Sequence, residues 1–134
     1  MLRKLTLSID DAKKAAAACR AEAEKNKWNV VIAVLDDGGH LMYLERMDGT
    51  QKASSRVAVK KGQSAILFKR PTSALEKAVA SGRIAVMALG ATTVEGGIPI
   101  VVEGEYVGAI GISGVQSHED AQVAQAGIDA ILKG

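Results

Sequence analysis

The stretch Val30-Val31-Ile32-Ala33-Val34-Leu35, followed by Asp36-Asp37-Gly38-Gly39 and by His40-Leu41-Met42-Tyr43-Leu44-Glu45-Arg46-Met47, decides how the chain folds. Residues 30–35 are apolar at every position. A strand with one wet face alternates, so an unbroken apolar run predicts a central strand covered by helices on both faces, hence three layers. Residues 36–39 tolerate positive φ, and a second strand-like run spans 40–47, so the pair reads as a β-hairpin.

The flanks agree with that centre. Ser8 followed three residues later by Asp11 has the spacing of a capping box, and Ala12, Ala15, Cys19 and Ala23 recur on one face, which predicts a helix over about 8–26. Beyond the turn Met47-Asp48-Gly49, residues 52–69 read as helix, Pro71 interrupts it, and Thr72 opens a short helix ending near Gly82. Residues 84–89 form a short apolar strand candidate. Ile98–Val102 and Glu105–Ser113 read as strands joined at Glu103-Gly104, and Ser117 with Asp120 repeats the capping spacing before a helix lined by Ala121, Ala124, Ile128 and Ile131. The predicted order is α-β-β-α-α-β-β-β-α, an α/β (α+β) domain over residues 1–134 with a five-stranded antiparallel sheet between helical layers.

Composition narrows the function classes. At 134 residues, 48% hydrophobic and 24% charged, the chain suits one globular domain, and its formal charge of +2 has no long basic block, which argues against nucleic acid. No apolar run approaches the roughly 20 residues of a membrane-spanning helix. A single cysteine, Cys19, forms no intramolecular disulfide, and residues 1–4 lead into a capped helix without a signal-peptide core, so a cytoplasmic setting is expected. Only four aromatics occur among abundant alanine and glycine, which suits close backbone packing and self-association.

The chemistry-bearing residues are few. His40 is the best axial donor for a haem iron, and period-two alternation places it on one strand face with Met42, Leu44 and Arg46. Arg46 is roughly 20 Å from His40 at ~3.3 Å per residue, so the two meet one ligand only across its longest dimension. A plainer reading has His40 bonded to the 36–39 turn. His118, in the first turn of the last helix, reads as a capping or surface residue, and no HxxxH, HExxH or CxxC spacing supports a zinc or iron-sulfur site. Lys52, Arg56 and Lys60 form a basic ridge at i, i+4 and i+8 that is either solvated or receives an anion. Gly108, Gly111 and Gly114 lack nucleotide-fingerprint spacing and read as packing glycines, whereas Gly96-Gly97 makes a loop whose amides bind an anion or approach a flat cofactor, beside Glu95 as an isolated carboxylate.

Two stretches are more specific: Asp36 to Gly49, DDGGHLMYLERMDG, and Glu95 to Gly114, EGGIPIVVEGEYVGAIGISG. With KRPTSAL at 69–75 and SHEDAQVAQAG at 117–127, they resemble the GlcG/HbpS-like haem-degrading family along nearly the whole chain. The loop Ala91-Thr92-Thr93-Val94-Glu95 departs from the proline-containing version of that family. The resemblance implies a profilin-like fold, a bacterial cytoplasmic protein and a homo-oligomer between dimer and octamer. It also implies a small-molecule ligand, a tetrapyrrole: haem, or a corrinoid as in the C-terminal domain of PduO-type adenosyltransferases. The site residues it implies are His40 (the haem-iron donor), Arg46, Asp48, Glu95, Gly96 and Gly97. Two other functions remain open: an enzyme or sensor for a small carboxylate or aldehyde of glycolate or diol metabolism using Arg46, Asp48 and Glu95, and a structural oligomeric accessory protein.

Overall fold

A computed structural model describes residues 1–133. The elements are α1 (Ile9–Lys25), β1 (Val31–Asp36), β2 (Leu41–Arg46), α2 (Ser54–Leu67), α3 (Thr72–Ala80), a 3₁₀ helix (Ile84–Leu89), β3 (Gly97–Val102), β4 (Glu105–Ser113) and α4 (Ser117–Leu132). The strands form one antiparallel sheet in the order β2-β1-β4-β3.

β1 is the central strand its composition demands. Val30, Ile32 and Val34 pack with Ala15, Cys19 and Ala23 of α1 and Val123, Ala124 and Ile128 of α4, while Val31, Ala33 and Leu35 pack on the other face against Ala58 of α2. Each alternate side chain therefore enters a different core, and every residue from 30 to 35 is fully buried. The α2 layer sits unusually close. A Cβ on Gly111 of β4 would collide with the Ala58 carbonyl and stand 2.7 Å from the Gly62 amide nitrogen, so only glycine admits the helix backbone there.

Three expectations are corrected. The sheet has four strands, not five, because residues 84–89 coil into a 3₁₀ helix in which only Val86 is buried and Ile84, Met87 and Leu89 are exposed. The run is apolar but finds no strand partner, and Gly90, at φ 80°, ends it. A register shift in the β1–β2 pairing then disturbs the alternation of β2: Leu41 lies opposite Leu35, and Leu44 opposite Ala33, on the α2 face, whereas Met42 packs into the α1–α4 core. His40, Met42, Leu44 and Arg46 consequently do not share a face. Finally, α1 carries its Ser8–Asp11 capping box as expected, but α4 is capped one residue early, by Gln116 with Glu119. Asp120 is thereby turned inward.

Candidate functional site

The inward Asp120 meets Lys61 of α2. Lys61 lies on the helix stripe formed by Ser54, Ala58, Gly62 and Ala65, where its side chain is only 3% exposed and that of Asp120 only 2%. Its Nζ donates to Asp120 Oδ2 and to the Ile112 carbonyl, both at 3.0 Å, and Asp120 Oδ1 accepts from the Val115 amide. Burial pushes the Asp120 carboxyl above its ordinary value more strongly than the Lys61 charge pulls it down.

This pair lies directly beneath the Glu95–Gly97 loop. A Cβ on Gly96, at φ 134°, would stand 2.7 Å from Lys61 Nζ and 2.8 Å from the Ile112 carbonyl oxygen. The loop is held on several sides: the Glu95 amide donates to Glu76 Oε1 at 3.1 Å, the Gly96 carbonyl accepts from the Ile112 amide at 3.0 Å, and the Gly97 amide donates to buried Thr72 Oγ1 at 2.9 Å. Above it opens a hollow of about 370 Å³, walled by Pro71 and Ser73 at the start of α3, by residues 95–98, and by Ala121, Gln122 and Gln125 of α4. Apolar Pro71, Ile98 and Ala121 alternate there with hydroxyl and amide side chains. Among the described residues no lysine or arginine lines the hollow, and Glu95 is the one ionisable side chain in its lining.

His40 is placed elsewhere. It immediately precedes β2, its amide donates to Asp36 Oδ1 at 2.9 Å, its ring Nδ1 is 3.2 Å from the same oxygen, and its side chain is 81% exposed. That is the plainer, turn-bonded reading. Leu44, Ala33, Gly111 and Gly97 lie in one row across the four strands. Three strand spacings sideways and four residues along therefore separate His40 from Gly97, ~20 Å in all. Arg46 and Asp48 lie at the opposite end of β2, both exposed, and form no ion pair with each other among the described residues. One chain therefore gathers Glu95, Gly96 and Gly97 but leaves His40, Arg46 and Asp48 along the far edge of the sheet. Lys52, Arg56 and Lys60 are exposed and line one surface, as expected, but only Arg56 and Lys60 lie on α2, because the helix starts at Ser54 and Lys52 sits in the turn before it; none of the three has an ion pair among the described residues.

Sequence reasoning missed Lys61, Asp120 and Thr72 as supports of the loop. A signal existed for Lys61, a cation at the spacing of the small apolar stripe, but the neighbouring ridge of Lys52, Arg56 and Lys60 drew the reading instead. Cys19 is fully buried, and burial pushes its thiol up to about 12, which agrees with a core role.

Residues 7–129 match the family model described as haem degrading protein HbpS-like. Protein GlcG of Escherichia coli (strain K12) is 44% identical over 114 residues, spanning 84% of this chain and 85% of the relative. Among solved structures, a double mutant of Streptomyces reticuli HbpS superposes with a TM-score of 0.87 at 32% identity, covering 96% of this chain and 89% of that one. The crystal structure of the PduOC haem complex superposes at 0.85 with 27% identity, covering 94% and 95%. With more than half of its length matched by the family model and a relative well above 30% identity, the chain belongs to the HbpS-like family.

Proposed function

We propose that the protein binds haem non-covalently, as part of a homo-oligomer, with the Glu95–Gly97 loop as one wall of the site. The observation that carries this reading is the hollow itself. Its floor is the backbone of Gly96 and Gly97, whose Cβ positions face inward onto Lys61 and which is pinned by Thr72, Glu76 and Ile112 above a buried ion pair, so a rigid backbone wall is offered to a ligand. Such a wall accepts the face or edge of a flat macrocycle, with Pro71, Ile98 and Ala121 supplying apolar contact and Ser73, Gln122 and Gln125 supplying hydrogen bonds. Among the described residues no cation lines the hollow, so it would offer no ion pair to the acid groups of a bound macrocycle. A bound haem would bring iron redox chemistry that the side chains of the chain do not supply.

Self-association follows from uncovered apolar surface. Leu41 and Leu44 are 49% and 37% exposed on the α2 side of an edge strand, and Leu67, Ile84, Met87 and Leu89 each expose more than half of their surface. Pairing of copies through these surfaces is also the one route by which His40, Arg46 and Asp48 enter a site with Glu95. No helix of the described residues is long and apolar enough to cross a membrane; we propose a cytoplasmic protein.

Melting curves followed by circular dichroism test the ligand class. Hemin at about 100 times its dissociation constant adds ~2.7 kcal/mol and raises the midpoint by several degrees. Hydroxocobalamin in a parallel sample tests the corrinoid alternative, and glycolate and glyoxal test the small-metabolite alternative. Stabilisation by a metabolite with none by hemin overturns the haem reading.

A further inference from the structure

We infer that the protein carries a ligand site, separate from the Glu95–Gly97 hollow, that takes a small monocarboxylate with an apolar body. The site is a hollow of about 310 Å³ between α2 and the loop that follows the 3₁₀ helix, and it shares no lining residue with the hollow at Glu95–Gly97. One wall is Lys60, Gln63, Ser64, Leu67 and Phe68, a single stripe at i, i+3, i+4, i+7 and i+8 that runs off the end of α2, and Thr92 faces it from the loop.

The donors of this hollow are unspent. Ser64 is 5% exposed, and its Oγ accepts from the Thr92 amide at 2.8 Å, which leaves its own proton without an acceptor among the described residues. Polar groups this deep are ordinarily satisfied, so a buried hydroxyl proton left over at the wall of a hollow is a donor held for a ligand. Lys60 stands one helical turn before Ser64, exposed and without an ion pair among the described residues, so an anion reaches its ammonium without displacing a carboxylate. The Thr92 hydroxyl adds a further donor, and Gln63 is held in place by donating to the Gly39 carbonyl at 3.2 Å. Among the described residues no Asp or Glu lines the hollow, so nothing in its wall repels an anion.

Charge and shape narrow the class. One ammonium balances one negative charge, whereas a phosphate, at about −1.5 to −2 near neutral pH, would be left only partly neutralised. A carboxylate offers one oxygen to Lys60 and the other to the two hydroxyls, and Leu67 and Phe68 give its apolar body a surface to cover. Arg56 is exposed one turn towards the start of α2 but does not line this hollow, so it serves as the control for charge alone. Leu67 also belongs to the surface proposed for pairing of copies, which puts the site at the margin of that surface.

The test is a fluorine NMR titration of the full-length, assembled protein with para-fluorobenzoate, beside para-fluorobenzamide as its uncharged counterpart. Saturable broadening of the carboxylate signal is expected, with none for the amide. Lys60→Met is expected to weaken binding at least about fivefold and Thr92→Val at least about threefold, while Lys60→Arg and Arg56→Met stay within about twofold of the parent. Unlabelled benzoate is expected to displace the probe, and inorganic phosphate at the same concentration to leave it bound. Uptake that never saturates, equal binding of the amide, equal losses in Lys60→Met and Arg56→Met, or displacement by phosphate as effective as by benzoate overturns the assignment. Stoichiometric hemin is expected to leave the probe bound, and its displacement by hemin overturns the separateness of the site. Circular dichroism and sedimentation of the variants are expected to match the parent, because Lys60 is exposed and Thr92→Val keeps the backbone amide that bonds Ser64.

Discussion

Replacing Asp120 by Ala tests the support beneath the glycine loop. The Lys61 ammonium would keep only the Ile112 carbonyl at 3.0 Å, inside a site where its side chain is 3% exposed. Stranding one member of a buried pair costs about 3–5 kcal/mol, a large share of the roughly 5–15 kcal/mol that holds a domain of this kind together. With a urea m-value of ~2 kcal/mol/M, the unfolding midpoint moves down by about 2 M. Trp28 fluorescence reports the transition, since the indole packs on the α1–α4 core. Burial already raises the Asp120 carboxyl, so the pair itself is no large net stabiliser, and the damage comes from the stranded cation. Two contrasts follow. The double variant Lys61→Met with Asp120→Leu recovers most of the loss. Glu45→Gln, which removes the charge from the Arg20–Glu45 pair at 2.6 Å while the arginine stays in solvent, costs far less. A loss in Asp120→Ala no larger than that of Glu45→Gln refutes the reasoning.

Other consequences are simpler to check. Cys19 should resist iodoacetamide in the native state and react at the rate of unfolding, because the thiol is buried and its ionisation is pushed up to about 12. Gly111→Ala should destabilise by about 3 kcal/mol or more in urea, since a methyl group collides with the Ala58 carbonyl and neither backbone has room to retreat. Ser8→Ala should cost about 1 kcal/mol at neutral pH. The Ser8 backbone and side chain hold Asp11 below its ordinary value, so this capping contribution is present above 3.8 and is lost as pH falls through the lowered folded value; the Ser8→Ala penalty measured in urea should shrink in acid.

Much of the fold is legible wherever local chemistry and burial agree. The run 30–35 states its own double burial, Ser8 and Asp11 state a helix start, and Asp36 to Gly39 state a turn. The failures arise where local pattern competes with partners distant in sequence. Residues 84–89 are as apolar as a strand, yet the sheet edge at β3 takes no further strand, and the segment coils. Pure alternation groups His40 with Met42 and Leu44, but a register shift against β1 divides them, and no residue type in 40–47 announces it. Ser117 and Asp120 have the capping spacing, as do Gln116 and Glu119; the buried cation of Lys61, which needs a carboxylate, decides between the two registers. The candidate site was half legible for the same reason. Glu95, Gly96 and Gly97 are contiguous and stay together, whereas the placement of His40 and Arg46 depends on strand order, which spacing does not encode.

The central claim is tested most directly by an absorbance titration of the purified protein with hemin, using albumin as the control for nonspecific uptake. The account predicts a saturable Soret change near one haem per subunit, centred on the hollow at the Glu95–Gly97 loop and therefore abolished by Ala121→Trp, which fills that hollow from the part-exposed face of α4 in protein that still folds. Featureless, non-saturating uptake, or saturation indifferent to Ala121→Trp, contradicts it.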